Sequence, residues 1–428
     1  MHARAWLAHL ETFGIKLGLD TITTIVATLG DPHRACPVLH VAGTNGKGSV
    51  SAIVSHALTA AGYRTGRYTS PHLVRLEERF AIDGRAVSPE ALDGALDEVR
   101  RVVTGLQNQG RLTVEPTYFE ATTAAAFLLF RQAATDVAVI EVGLGGRYDA
   151  TNIVAPAATC ITSIALDHQA QLGGTLASIA AEKAGTIKPR VPVVVGPLPE
   201  EALAVIEGVA AERGACVVHS HDGVRLHAEP REDGTDVEFQ TPVARYGPLR
   251  LSLPGRHQVD NAVVAVRLLE TADEAGLTVP AAAIGRGLAE ARWPARLQRI
   301  QTPRGHLIVD GAHNPAGAAA LSSYLVTRFP EGVPIVVGMM ADKDAAGMLL
   351  PLSGVARPLV LTRAPGPRGA DPQQLADALE GARRRDAIVE PDVDRALTRA
   401  WSAAPVIVVA GSLYLAGAVL ALLDVPVE

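Results

Sequence analysis

The segment Gly43-Thr44-Asn45-Gly46-Lys47-Gly48-Ser49 places three glycines, one lysine and one hydroxyl together, a set of groups suited to holding nucleotide phosphates. Glycine lets the backbone approach closely, Lys47 supplies a point charge, and Ser49 offers an oxygen to Mg²⁺. The apolar run Val38 to Ala42 reads as a buried strand and Ser49 to Ala61 as a helix with Gly62 as its stop. A phosphate would then sit at a helix N-terminus, where free N–H groups and the dipole favour negative charge. The spacing departs from the standard phosphate-loop pattern, because only Thr44 and Asn45 separate the first glycine from Gly46-Lys47, and Gly48 precedes Ser49. An ordinary strand-to-helix turn with a surface lysine fits the same letters.

Other reactive side chains fall where apolar runs end, which in an open parallel sheet is where ligands bind. Val137 to Glu141 ends in a carboxylate suited to Mg²⁺ and leads into the glycine-rich Gly143 to Asn152. The run Thr159 to Leu166 ends in Asp167-His168, and Thr69-Ser70-Pro71-His72 closes another short strand. A lone histidine is more often structural than functional, so His168 keeps both readings. Lys183, in a helical stretch ending at Gly185, reads from its surroundings as a solvated lysine or a helix-end charge. Farther along, His306 to Val309 ends in Asp310-Gly311-Ala312-His313-Asn314-Pro315. Asn314 fits equally a cap for the helix that Pro315 starts and a ligand.

These strand ends need two layered frameworks to position them. Apolar runs alternate with helical stretches from Val38 to about Val218: Val38–Ala42, Gly66–Thr69, Val137–Val142, Thr159–Leu166 and Val193–Gly196. This predicts a mostly parallel sheet wrapped by helices, an α/β ATPase domain containing the phosphate loop. From Gly223 to Leu253, short alternating runs around Asp233-Gly234 predict a small appended antiparallel sheet. A second alternating series follows Trp293-Pro294: His306–Val309, Pro334–Gly338, Pro358–Leu361, Ala387–Val389 and Val406–Val409. It predicts a C-terminal Rossmann-like α/β domain, giving domains 1–295 and 296–428 with Trp293-Pro294-Ala295 as the hinge. Two sites facing each other across a cleft suit a reaction that joins two substrates.

The 428 residues, 48% hydrophobic, are enough for more than one core. A formal charge of -6 argues against a polyanion-binding surface and so against nucleic-acid partners. Cys36, Cys160 and Cys216 have neither disulfide nor zinc spacing, which fits a reducing cytoplasm. The N-terminus lacks the apolar core of a secretory signal. Pro405 to Leu423 is uncharged, but its order of β-branched strand, Gly411-Ser412 turn and apolar helix predicts a soluble core rather than a membrane span.

In order and spacing these pieces resemble the folylpolyglutamate synthase and dihydrofolate synthase family, which belongs with the Mur ligases. The resemblance covers nearly the whole chain and rests on Leu17-Gly-Leu-Asp20, Gly43 to Ser49, Thr69-Ser-Pro-His-Leu73, Tyr118-Phe-Glu120, Glu141 to Asn152, Leu166-Asp-His168 and Glu182-Lys-Ala-Gly185. It continues through Gly255-Arg-His-Gln258, Asn261, Asp310 to Pro315, Asp342-Lys-Asp344 and Gly411-Ser-Leu-Tyr414. The family's short loop accounts for the irregular phosphate-loop spacing.

The resemblance implies an ATP-dependent ligase that adds L-glutamate to the carboxylate of a folate or pteroate through an acyl phosphate, releasing ADP and phosphate. It implies that Gly43, Thr44, Asn45, Gly46, Lys47, Gly48 and Ser49 cradle ATP, with Asn261, Arg296, Asp310 and His313 also on the nucleotide. Ser49, Ser70 and Glu141 would hold one Mg²⁺ and His168 a second, with a monovalent cation such as K⁺ as a further cofactor. Lys183 matches a lysine that the family carries as a carbamate, which would make it an anionic ligand near the second metal and a catalytic residue with Lys47 and His168. Thr117, Tyr118, Phe119, Glu120, Tyr148, Asp149 and Ala150 match pteroate-contacting segments. The incoming glutamate is expected on the C-terminal domain, with Asp342, Lys343 and Ser412 as candidates, in a monomer.

One departure is Trp293-Pro-Ala295-Arg296-Leu297, where the family more often has glycine before the arginine, so alanine is expected to resist a positive φ. Two other functions stay open. A Mur-type ligase of cell-wall precursors would show a similar loop and metal set, although Thr69 to Leu73 and Tyr118 to Glu120 argue against it. A non-catalytic module using ATP to set a domain angle would not need Glu141, His168 and Lys183.

Overall fold

The computed structural model describes residues 2–427 except 12, 13, 15, 17, 232 and 233. Leu17 of the first family motif and Asp233 of the expected hairpin turn therefore lie outside the described residues. The first sheet contains β1 (Val38–Ala42), β2 (Thr65–Tyr68), β3 (Phe80–Ile82), β4 (Arg85–Ala86), β5 (Val137–Glu141), β6 (Ala158–Ile161), β7 (Val193–Val195) and β8 (Val217–His219). Their order is β4-β3-β2-β5-β1-β6-β7-β8, parallel from β2 to β8 and antiparallel only at the β3 and β4 edge. β1 lies between β5 and β6, so the chain leaves its C-terminal end where the strand order reverses. Such a switch point leaves a crevice at the strand ends.

β1 is a buried Val-Leu-His-Val-Ala run with no exposed face, as a central parallel strand requires. Helices cover both faces, and their apolar residues pack into three cores around this sheet. β9 (Arg225–Arg231), β10 (Gly234–Gln240) and β11 (Arg245–Leu251) form a separate antiparallel sheet. Its Val237, Phe239 and Tyr246 join the core under the helix Arg256–Asp273.

The third sheet contains β12 (Gln298–Thr302), β13 (Gly305–Val309), β14 (Val333–Val337), β15 (Ala356–Leu361), β16 (Ile388–Val389) and β17 (Val406–Ala410). Its order is β12-β13-β17-β14-β15-β16, parallel except for β12. Two further cores enclose it. The segment Pro405 to Leu423 divides, as expected, into β17 and the helix Leu413–Leu422. Among the described residues no helix is long and apolar enough to cross a membrane.

Two local expectations fail for identifiable reasons. The strand expected to run to Leu166 ends at Ile161, because the next residues serve the phosphate loop. Thr162 Oγ1 and Ser163 Oγ donate to the Asn45 carbonyl at 2.6 and 2.9 Å, and the Thr44 N–H donates to the Ser163 carbonyl at 2.7 Å. Ala295 does take a positive φ, 55°, and Leu297 follows at 49°. The neighbourhood holds this left-handed turn: the Ala295 N–H donates to Gln298 Oε1 at 2.9 Å, and its carbonyl accepts from the Gly311 N–H at 2.8 Å. Leu297 N–H is fixed by Asp310 Oδ2 at 3.0 Å.

Candidate phosphoryl-transfer site

The phosphate loop leaves β1 and enters the helix Lys47–Ala60 through Gly46, whose φ is 88°. A Cβ on Gly46 would lie 2.3 Å from Asn261 Oδ1, so conformation and space both demand glycine. Lys47 Nζ donates to the Gly43 and Thr44 carbonyls at 3.0 Å each. Lys183 Nζ reaches the same Gly43 carbonyl at 2.8 Å. Lys183 is therefore buried, only 5% exposed, and the solvated reading of it is wrong. Short-range signals hid this, because the helix Leu176–Ala184 packs its last turn under the loop.

Burial pushes the Lys183 amine down to about 7, with Lys47 repelling it further and Asp167 and Asp149 opposing. The neutral amine is thus accessible near neutral pH. Burial likewise pushes His168 down to about 4 against the pull of Asp167, leaving a neutral imidazole able to bind a metal. Burial raises the Glu141 carboxyl, while Lys47, the Ser70 N–H, Arg296 and Arg67 stabilise its charge. The Ser70 N–H donates to Glu141 Oε2 at 3.3 Å.

Ser49 Oγ is buried and has no hydrogen-bond partner among the described residues. An orphan hydroxyl at the mouth of a phosphate loop is costly unless a ligand completes it. Together with the Glu141 carboxylate, it fits a hard divalent ion that takes its other ligands from water and phosphate, as Mg²⁺ does. Among the described residues no group of three or more His, Cys, Asp or Glu side chains is placed to hold a metal, so an all-protein cage is not what this site offers.

The third sheet brings its own strand ends to this point. After β13, Asp310 fixes Ala312 N–H and Leu297 N–H, and it lies near half-buried Arg296 and His257. Asn314 does both things its sequence allowed. Its Oδ1 caps the helix Pro315–Arg328 by accepting from Gly317 N–H at 2.9 Å. Its Nδ2 donates across the cleft to Asn45 Oδ1 at 2.9 Å and Asp167 Oδ2 at 3.0 Å. Lys343 pairs with Asp167 at 2.6 Å, and His313 lies 3.6 Å from the same carboxylate. The sequence reading named Asp167 only as the neighbour of His168. Its place beside His168, just after an apolar run, was the available signal.

Other candidates have internal duties. Thr117 and Glu120 form a capping box at the start of the helix Tyr118–Gln132. Phe119 packs on Gly143, and Tyr118 lies under Arg79 at 5.2 Å. Asp149 accepts from the Thr151 and Leu144 N–H groups, Ala150 is buried, and Tyr148 is exposed. Ser412 caps the helix Leu413–Leu422 and donates to Met340 Sδ. Asp342 is exposed.

A parallel-sheet nucleotide site faced by a second α/β layer defines the class, and comparison with known families gives the same one. Residues 41–269 match the Mur ligase middle domain, and residues 295–413 match the Mur ligase glutamate ligase domain. The folylpolyglutamate synthase of Lacticaseibacillus casei is 37% identical over 407 residues, covering 93% of this chain and 92% of that protein. The dihydrofolate synthase/folylpolyglutamate synthase of Bacillus subtilis is 34% identical and covers 96% of each. Among solved structures, Mycobacterium tuberculosis folylpolyglutamate synthase complexed with ADP superposes with a TM-score of 0.92 at 32% identity, covering 100% of this chain and 99% of that one. Escherichia coli FolC in complex with DHPP and ADP gives 0.86 at 34% identity, covering 99% and 98%. The chain belongs to the folylpolyglutamate synthase/dihydrofolate synthase family of Mur ligases.

Proposed function

We propose that this protein joins the amine of L-glutamate to the carboxylate of a folate-type acceptor, dihydropteroate or a reduced folate, at the expense of ATP. The observation that carries this reading is the meeting of the phosphate loop with strand ends of the third sheet through Asn45, Asn314, Asp167 and Lys343. A hydrolase needs no such second wall, whereas a ligase must hold an amine where water would otherwise attack. The homologous structures with ADP, and one from Yersinia pestis with AMPPNP and Mn ion, support nucleotide and divalent-metal use.

In this reading the Gly43 to Ser49 loop and Lys47 bind the phosphates, and Asn261, Arg296, Asp310 and His313 orient the nucleotide. Ser49, Ser70 and Glu141 hold one Mg²⁺, and His168 with Lys183 holds a second. The ions supply neutralisation of charge on the transferring phosphoryl group. Lys47 lies where it can leave its loop carbonyls for a phosphate oxygen, and the low affinity of Lys183 for protons leaves an amine able to add CO₂ and lose a proton, giving a carbamate. Thr117 to Glu120 and Tyr148 to Ala150 shape the acceptor side, and most of the rate enhancement comes from positioning and charge complementarity. The domain boundary lies between 295 and 296, supported by the left-handed turn there and by β12 starting at Gln298. The free cysteines, Cys36, Cys160 and Cys216, support a cytoplasmic setting.

The test is glutamate-dependent ADP release from purified protein with 7,8-dihydropteroate and with tetrahydrofolate. Turnover with either acceptor is expected. ATP binding without turnover on both would overturn the assignment.

A further inference from the structure

The strand that leads into the phosphate loop carries a polar side chain with no outlet to solvent. His40 of β1 is fully buried, and its Nε2 lies 2.9 Å from Thr151 Oγ1. Thr151 Oγ1 donates in turn to Asp149 Oδ1 at 2.5 Å. Asp149 Oδ1 also accepts the Thr151 N–H at 3.0 Å, and its Oδ2 accepts the Leu144 N–H at 2.8 Å, so both oxygens act as acceptors. Three side chains thus form one line from the central strand to the turn after β5. That turn, Gly143 to Asn152, touches both sides of the proposed site: Phe119 packs on Gly143, and the Arg147 N–H donates at 2.8 Å to the carbonyl of Glu182, next to Lys183.

Counting hydrogens gives the line a direction. Burial keeps the His40 imidazole neutral, so one ring nitrogen carries a hydrogen and the other does not. Thr151 has a single hydroxyl hydrogen, and the Asp149 carboxylate takes it. His40 must then donate from Nε2, which leaves Nδ1 bare. Nδ1 has no partner among the described residues, a position that a bare acceptor tolerates better than a buried N–H would. In the other tautomer the Thr151 hydroxyl would turn to Nε2, and Asp149 would lose it. That loss matters because burial raises the Asp149 carboxyl, and the Thr151 hydroxyl is the strongest of the contacts that oppose this.

We propose that His40 is a positioning residue for the acceptor: through Thr151 it holds the Asp149 carboxylate in the orientation that the acceptor meets. The inference rests on the ligase reading above, in which Tyr148 to Ala150 shape the acceptor side. It adds a residue on the phosphate-loop strand that, being fully buried, touches no substrate itself.

The experiment measures kcat and KM for dihydropteroate, tetrahydrofolate and ATP in wild type, His40→Leu, His40→Gln, Thr151→Val and the His40→Leu/Thr151→Val double variant. His40→Leu removes the donor, and the acceptor KM is expected to rise about tenfold while kcat and the KM for ATP stay within about twofold. Thr151→Val keeps the shape of threonine without its hydroxyl and should give the same split, so it tests the line even where His40→Leu does not fold. Glutamine carries an amide N–H at the reach of Nε2, and His40→Gln should recover most of the loss. Because both residues act on Asp149 through one hydroxyl, the double variant should be no worse than Thr151→Val alone. An unchanged acceptor KM, equal losses in all parameters, additive losses in the double variant, or a His40→Gln variant as impaired as His40→Leu would overturn the proposal. Failure of the ligase reading looks different: the wild type itself releases no ADP with either acceptor.

Discussion

His40 shows how far burial can decide the chemistry of a single residue. It sits on β1 with 0% exposure, its Nε2 2.9 Å from Thr151 Oγ1 and its Nδ1 without a partner among the described residues. Burial first, then Lys188, pushes its imidazole from 6.5 to about 3. The folded protein holds it neutral while the unfolded chain protonates near 6.5, so the unfolded state binds more protons between these values. Its stabilising contribution is complete above pH 6.5 and is lost as pH falls towards 3, by at most about 1.4 kcal/mol per pH unit. His40→Gln should therefore flatten the dependence of unfolding free energy on pH between 6 and 4.5, read from urea melts. Parallel slopes for variant and wild type would refute this role. Lys183 obeys the same physics, because burial, with Lys47 nearby, brings the neutral amine within reach near neutral pH. Neither environment was legible locally: a histidine inside Val38 to Ala42 and a lysine before Gly185 look the same whether or not another element covers them.

The strands were legible to the extent that they are apolar and central. β1, β5, β7, β14 and β17 are fully or largely buried runs rich in Val and Ile, and the sequence marks them by composition alone. β4 and β12 are edge strands with polar residues, Arg85 and Gln298-Arg-Ile-Gln among them, and no such signal announces them. The Gly43 to Ser49 loop was legible as a glycine-rich turn from a strand into a helix, but the reason for one of its glycines was not. A Cβ on Gly48 would lie 2.5 Å from Trp293 Nε1, so this position is small because the linker packs on the helix start. Gly48→Ala should displace the indole from beneath Arg67 and disturb the turn at Ala295. The cost in stability is about 1 to 3 kcal/mol, typical of overpacking. It should appear as a shifted tryptophan emission and a reduced kcat/KM for ATP. Unchanged emission with wild-type kinetics would show that the linker yields freely and that the contact carries no coupling.

At the scale of the whole molecule, the two halves have separate cores and meet through a few specific contacts. One is steric: the helix Leu413–Leu422 brings Gly417 so close to Leu73 that a Cβ would lie 1.9 Å from the Leu73 carbonyl oxygen. Another is the Asp167 junction, where Lys343, Asn314 and His313 from the second half converge on one carboxylate from the first. No sequence pattern could pair Asp167 with Lys343, since their meeting depends on how both sheets dock. The Lys343 and Asp167 side chains are 10% and 7% exposed, so screening is weak and deleting the lysine leaves a buried carboxylate with reduced compensation. Lys343→Met should weaken docking by about 3 kcal/mol. ATP is proposed to touch both halves, through the Gly43 to Ser49 loop and through Arg296 and Asp310, so nucleotide binding should favour the docked arrangement by linkage. Small-angle scattering of the variant should accordingly show a larger radius of gyration than wild type without nucleotide and a return towards the wild-type value with a non-hydrolysable ATP analogue. The variant's kcat should fall more than its affinity for ATP, because the lost contact joins the C-terminal half, where the glutamate is proposed to bind, to the strand end beside His168. A variant with the wild-type radius, unfolding midpoint and kcat would mean that the Lys343–Asp167 pair is dispensable and that the remaining contacts, Asn314 with Asn45 and Asp167 and Gly417 with Leu73, hold the cleft closed.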